Sequence, residues 1–337
     1  MRALLSIGLL LLAGCDRLAD RQIERNLTRV DRAILESPDL HVVLCGTGSP
    51  LPDADRAGPC TAVIAGGEIF LVDAGPGSWE RVDLANLPTA AVGTILLTHF
   101  HSDHIGDLGE AVVQSWIAGR ARPLDVYGPP GTGKIVEGFR AAYAQDAAYR
   151  MEHHGADVLP AAAAGAIAHE VALGDAPDAA AGLPERPSGL RITIFRVDHE
   201  PVAPAVGYRF DYRGRSVVVS GDTRPSRSLA RHAKDTDLLV HEALDPELVG
   251  RAAAVASRLG LPRVAKLASD IPGYHTSPAD AAALAAEAGV KHLVLTHLVP
   301  GPTNALARRL FMRGVTERYE GEVTLGADGM RFDLPGS

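Results

Sequence analysis

Short apolar runs alternate with polar turns along most of the chain after Pro38, and their lengths predict strands more often than helices. Residues 41–45, 61–65, 68–73, 94–98 and 124–127 form a first series of strand signals. Residues 190–198, 205–212, 215–220, 237–242, 292–296 and 322–325 form a second. Helical spacing of apolar positions marks 105–118, 133–144, 246–259, 278–288 and 304–316. Only Arg213 and Gly214 separate two of the strands, which predicts a tight hairpin. Strands come in consecutive pairs with helices between groups. That order predicts α/β sheets stacked as a sandwich and covered by helices, not strict βαβ repetition. Residues 147–189 are rich in Ala, Pro and Gly and hold few strand signals, so a long surface excursion or lid is expected there.

The first residues follow a different pattern. Met1-Arg2 precedes an apolar run from Ala3 to Gly14 that ends at Cys15. One positive charge, a short apolar stretch and small residues read as a secretory signal, too short to span a bilayer. From Asp16 to Pro38 the chain is strongly charged. Ile23, Leu27, Val30 and Ile34 are spaced 4, 3 and 4 apart, which predicts one face of a spacer helix. Docking of that face on the main domain and pairing with a second copy, as a homodimer, both remain open. The organisation expected is a signal at 1–15, a spacer at 16–38, and one domain at 39–337.

Composition narrows the picture. Hydrophobic residues make up 46% and charged residues 22%, an ordinary globular balance; aromatics are only 5%, so Ala, Val, Leu and Ile must build the core. The formal net charge of −8 gives no overall field to attract nucleic acid. Three cysteines are too few for a disulfide framework or an all-cysteine zinc site. Cys45 and Cys60 lie near the first two strands, where pairing in an oxidising compartment and burial as free thiols are both open. The 13 histidines decide the chemistry by where they fall.

Thr98-His99-Phe100-His101-Ser102-Asp103-His104 follows the apolar run Ile95-Leu96-Leu97, so it begins where a buried strand emerges. In an extended segment His99 and His101 point the same way, and the turn after them brings Asp103 and His104 toward a neighbouring point. Four nitrogen and oxygen donors within six residues suit a pair of borderline cations such as zinc.

This spacing resembles the signature of the metallo-β-lactamase superfamily. Gly46-Thr47-Gly48-Ser49-Pro50 and Leu71-Val72-Asp73-Ala74-Gly75 look like that family's opening strands. The resemblance implies an αββα four-layer sandwich and a dinuclear centre holding two Zn2+, or other divalent metals such as Mn2+. One metal would take His99, His101, His199 and Asp222. The other would take Asp103, His104, Asp222 and His297. His241-Glu242-Ala243 and Tyr274-His275-Thr276-Ser277 resemble the ribonuclease Z branch, where a Glu–His pair sits beside the metals. Gly207-Tyr208-Arg209 and the run from Lys291 to His297 read the same way. The framework also occurs in metal-dependent arylsulfatases and phosphodiesterases. Asp222 argues against penicillin hydrolysis, because true β-lactamases of the superfamily lack the bridging carboxylate.

By this resemblance the chain is a metal-dependent hydrolase of ester bonds. Two ions about 3.5–4 Å apart generate a bridging hydroxide near neutral pH and absorb charge on a phosphoryl or sulfuryl oxygen. Asp103 orients the hydroxide as well as binding metal, and His275, held by Glu242, is suited to protonate the departing oxygen. Ribonuclease Z carries a long tRNA-gripping arm, often between the strands matching 207–212 and 215–220, where this chain has two residues. That gap, the acidic charge and the expected export argue against nucleic acid and for a small anionic ester, a phosphodiester or aryl sulfate. The alternatives are a ribonuclease Z-type RNA 3′-processing endonuclease, a lactone or other carboxylic ester hydrolase, and a metal-binding lipoprotein without catalysis.

The N-terminal pattern carries its own resemblance. Leu12-Ala13-Gly14-Cys15 resembles the bacterial lipoprotein cleavage box, in which the cysteine is lipidated, and Asp16 resembles the retention signal of the inner membrane. The implied location is the periplasm, with a lipid anchor at Cys15. Two further motifs carry less. Gly128-Pro129-Pro130-Gly131-Thr132-Gly133-Lys134 has phosphate-loop spacing, but Ile135 stands where a magnesium-binding hydroxyl belongs. His153 and His154 follow Tyr149-Arg150 at the start of the expected excursion, where exposed histidines are the default.

Overall fold

The computed structural model describes residue 16 and residues 18–336. The signal and lipidation expectation at 1–15, including Cys15, lies outside the described residues. Strands β1 (Leu40–Gly46), β2 (Cys60–Ala65), β3 (Glu68–Val72), β4 (Val92–Leu96), β5 (Leu124–Gly128), β6 (Ala166–Glu170) and β14 (Arg331–Leu334) form one sheet in the order β14-β1-β2-β3-β4-β5-β6. The second sheet joins β7 (Ala180–Gly182), β8 (Arg191–Arg196), β9 (Val206–Tyr212), β10 (Arg215–Val219), β11 (Leu238–Leu244), β12 (His292–Val299) and β13 (Glu322–Leu325) in the order β13-β12-β11-β10-β9-β8-β7. In each sheet one half is antiparallel and the other, β3 to β6 or β10 to β13, is parallel.

Residue alternation along the strands builds three apolar layers. Leu40, Val42 and Leu44 of β1 point into the space between the sheets, where they meet Ile192, Ile194, Phe210, Val217 and Val240. Val43 and Cys45 of the same strand point outward, into a second layer with Trp79, Val82, Leu108 and Val136 of covering helices. Leu239, Leu293 and Leu295 make the third layer with Leu229, Ala281, Ala285 and Phe311. Strands buried on both faces read as continuous apolar runs, which is why β1, β2 and β11 were legible as strands and their faces were not. The result is the expected αββα sandwich.

Cys45 and Cys60 are joined by a disulfide between β1 and β2, with Cα atoms 4.9 Å apart. Arg213 and Gly214 form the tight turn between β9 and β10.

Two expectations need correction. Residues 147–189 are not one excursion. The helix Thr132–His154 runs through the first eight of them, and β6 and β7 then add an edge strand to each sheet. The Ala- and Gly-rich composition hid those short edges, which bury little. The expected helical face at 16–38 is also broken. The helix ends at residue 28, Leu18, Ile23 and Leu27 are exposed, and Ile34 sits in a separate 3-10 turn that packs it into the core beneath β2. The phosphate-loop spacing serves the fold, in keeping with Ile135 standing where a hydroxyl would belong. The amides of Gly131 and Gly133, which such a loop would aim at phosphate, both donate to Glu170 Oε1, at 3.0 and 2.9 Å. Among the described residues no helix is long and apolar enough to cross a membrane.

Candidate metal centre

The sequence-predicted ligands gather at one end of the two sheets: the His99–His104 segment follows the parallel strand β4, His199 follows the antiparallel β8, Asp222 follows β10, and His297 lies near the end of β12. β4 ends at Leu96, and Thr98 and His99 follow, fully buried. His101 begins a short helix, Ser102–Ile105, which turns Asp103 and His104 back toward the same centre. This turn packs tightly on the loop after β3: a Cβ at Gly75 would stand 2.2 Å from the Asp103 carbonyl oxygen, so only glycine fits. Asp222 follows β10 through Gly221, whose φ of +62° bends the chain toward the centre. His297 is set by a bulge in β12. The register against β11 slips between Glu242 and Ala243, and His297 takes a left-handed φ of +46°. That strained backbone aims the imidazole into the site instead of the apolar layer.

Asp222 lies at the middle. Its Oδ2 is 3.3 Å from Nε2 of His104, 3.3 Å from Nε2 of His297, and 3.9 Å from Nε2 of both His99 and His199. Nε2 of His297 is also 3.3 Å from Asp103 Oδ2, and Nε2 of His104 is 3.6 Å from it. Donors around a tetrahedral zinc stand about 3.3 Å apart, given bonds of roughly 2.05 Å. Two groups emerge, His99, His101, His199 with Asp222, and Asp103, His104, His297, each with its ligand atoms within 4.8 Å of one another. His275 joins Asp222 and His297 in a third such group.

The surroundings fix which nitrogen faces the centre. His104 Nδ1 donates to Asp73 Oδ2 at 2.8 Å, His99 Nδ1 to Thr98 Oγ1 at 3.1 Å, and His199 Nδ1 to the Tyr274 carbonyl at 2.9 Å. Each contact leaves Nε2 as the inward lone pair, the arrangement that orients metal-ligating histidines. Nε2 of His104 and of His199, with Asp222 Oδ1, are buried and have no hydrogen-bond partner. Leaving such atoms unmatched costs stability unless a ligand satisfies them. The donor chemistry, the spacing and these orphaned atoms fit a pair of divalent cations.

Glu242 is almost fully buried and accepts three hydrogen bonds through Oε1: from the amides of Thr223 (3.2 Å) and Thr276 (3.0 Å) and from His275 Nδ1 (3.1 Å). Burial disfavours protonation of His275, but Glu242 and Asp222 prevail and raise its pKa to about 9.

The sequence reading missed Asp73. It adopts a φ of +62° and also accepts from the Thr98 amide and hydroxyl, both at 2.8 Å, so one carboxylate ties the strand end to His104. An acidic residue directly after an apolar strand, two positions before a glycine, was the available signal. His153 and His154 end the long helix, exposed and against each other, while Arg150 pairs with Asp146 and Arg224 with Asp198.

Comparison with known proteins agrees with this geometry. The family of the beta-lactamase superfamily domain matches residues 69–298. Ribonuclease Z of Mycobacterium bovis (strain BCG / Pasteur 1173P2) is 38% identical over 298 residues, covering 88% of this chain and 98% of its own length. Ribonuclease Z of Mycobacterium avium (strain 104) is 39% identical over the same span. Among solved structures, the metallo-beta-lactamase fold protein YhfI from Bacillus subtilis superposes with a TM-score of 0.62 at 19% identity, covering 88% of this chain and 99% of that one. The short form of human tRNase Z gives 0.60 at 22% identity, with the same coverages. The chain therefore belongs to the beta-lactamase superfamily, in its ribonuclease Z branch, and is a metal-dependent hydrolase of ester bonds.

Proposed function

We propose that the chain is a phosphodiesterase that trims the 3′ side of RNA, using paired divalent ions, Zn2+ in the first instance. The observation that carries the chemistry is the position of Asp222 Oδ2, within 3.3–3.9 Å of four imidazole nitrogens drawn from two ligand groups. Bound there, two ions would supply a water activated near neutral pH and neutralise charge on the phosphoryl oxygens. Asp103, which pairs with His297, stands where it orients that water. His275, charged at neutral pH, faces the same space and donates a proton to the departing ester oxygen.

The choice of RNA rests on the relatives. The two-residue turn between β9 and β10, the acidic charge and the expected export argued against nucleic acid. The ribonuclease Z relatives, matched over 98% of their own length, favour RNA against all three.

A second reading keeps the small anionic ester, phosphodiester or aryl sulfate, as substrate. It is favoured by the lipoprotein-like box ending at Cys15 and by the Cys45–Cys60 disulfide, since disulfides persist in oxidising compartments such as the periplasm. On that reading the protein is lipid-anchored at the inner membrane. One panel decides between them: a precursor tRNA, bis(p-nitrophenyl) phosphate and p-nitrophenyl sulfate, each assayed with zinc. Specific cleavage of the precursor at its 3′ side supports the first reading. Turnover of the small esters alone supports the second. For the anchor, Cys15→Ser releases the protein from membranes, and retention with the signal processed contradicts lipidation.

A further inference from the structure

A cavity of about 240 Å3 opens above the metal ligands, and one wall of it is apolar. Pro50 and Leu51 come from the loop after β1, Val299 from the end of β12, and Ile271 and Tyr274 from the 3-10 turn that leads into His275. None of these side chains is needed to hold a cation. Leu51 is 51% exposed although the site around it is buried. Ile271 packs against Leu244, Val249 and Val299. The Tyr274 carbonyl accepts from His199 Nδ1, and its ring lies 4.9 Å from the His199 ring and 4.8 Å from that of His275. The Tyr274 ring is thus held beside the proton donor, and aliphatic side chains line the cavity with it.

We propose that this wall is a subsite for the nucleobase of the departing nucleoside, with Tyr274 as its stacking platform and a specificity-determining residue. The inference rests on the phosphodiester reading above and adds a substrate feature to it. His275 delivers its proton to the leaving oxygen, so the nucleoside bearing that oxygen lies on the Tyr274 side of the phosphorus. Its sugar carries a planar base with two apolar faces, matching a ring and an aliphatic rim better than a phosphate or a second sugar would. Stacking of a base on an aromatic side chain is sequence-tolerant and corresponds to roughly 5- to 150-fold in affinity.

The test uses the full zinc-loaded chain and two stem–loop RNAs with a 3′ extension. They are identical except that one lacks the base on the nucleotide immediately 5′ of the scissile bond. Leaving-group acidity is the same in both, so the ratio of kcat/KM reads the base alone. The expected ratio, intact over abasic, is at least tenfold, expressed mainly in KM. Tyr274→Ala should bring it below threefold, and Tyr274→Phe should preserve it. Equal cleavage of both RNAs by the wild type, or an unchanged ratio in Tyr274→Ala, overturns the subsite and leaves the phosphodiester reading intact. Cleavage of neither RNA overturns both.

Discussion

Glu242 Oε1 lies 3.1 Å from His275 Nδ1, and through that contact one buried carboxylate sets both the orientation and the charge of an imidazole facing the metal ligands. The same oxygen is anchored by the Thr223 and Thr276 amides, which follow Asp222 and His275 respectively. The ligand end of β10, the middle of β11 and the proton-donor loop are therefore tied to one point.

A proton donor matters in proportion to how poor the leaving group is. His275→Ala should lower kcat about 10²–10⁴-fold on an alkoxide-leaving RNA substrate. On bis(p-nitrophenyl) phosphate, whose phenoxide departs without help, the loss should stay below about tenfold. Metal content should not change. Equal losses on both substrates would show that His275 serves binding or folding instead.

Asp73 stands outside both ligand groups and acts by holding His104. Asp73→Asn should weaken metal affinity about 10–100-fold, the usual effect of losing such an outer partner. Competition with a chromogenic chelator measures it. Wild-type affinity in the variant would contradict the role given to the 2.8 Å contact with His104 Nδ1.

The Cys45–Cys60 bridge closes a short loop, with a sequence separation of 15. Removing both thiols as Cys45→Ala/Cys60→Ala should cost about 3 kcal/mol of stability, the chain-entropy value for a loop of that size. Urea unfolding of the two proteins reads the difference directly. Identical midpoints would mean that the bridge adds nothing.

Asp237 gives a pH dependence far from the metals. Burial opposes its charge, but hydrogen bonds from Lys291 and the Ser216 amide, with Arg215 alongside, hold its pKa below the ordinary carboxylate value. The stabilisation is present above the unfolded value of about 3.9 and is lost as pH falls through the lower folded one. The Tm advantage of wild type over Asp237→Asn should hold steady above about pH 5 and shrink below pH 4. An advantage that grows on acidification would reverse the assignment.

The ligand set was legible because its chemistry is dense. His99 to His104 carry four donors in six residues, and His199, Asp222 and His297 each follow an apolar run. Most strands were legible from apolar runs, and several helices from their spacing; the helix Thr132–His154 was legible only in its first half, and Ser78–Leu84, Pro262–Asp270 and the strand Arg331–Leu334 were not legible. What escaped was set by tertiary contact. The edge strands β6 and β7 have no apolar run, because an edge strand buries little. Ile34 belongs to the core and Val30 and Ile23 do not, a distinction no periodicity contains. Asp73 looks like any polar residue after a strand until its left-handed backbone turns it toward His104.

The central claim is that Asp222 is shared between paired cations, and metal content measured by elemental analysis on the purified full chain and its Asp222→Ala variant tests it most directly. The account predicts two divalent ions per wild-type chain, at most one in the variant, and no hydrolysis by the variant. A variant that keeps both ions, or a wild-type chain that binds a single ion and still turns over substrate, would contradict it.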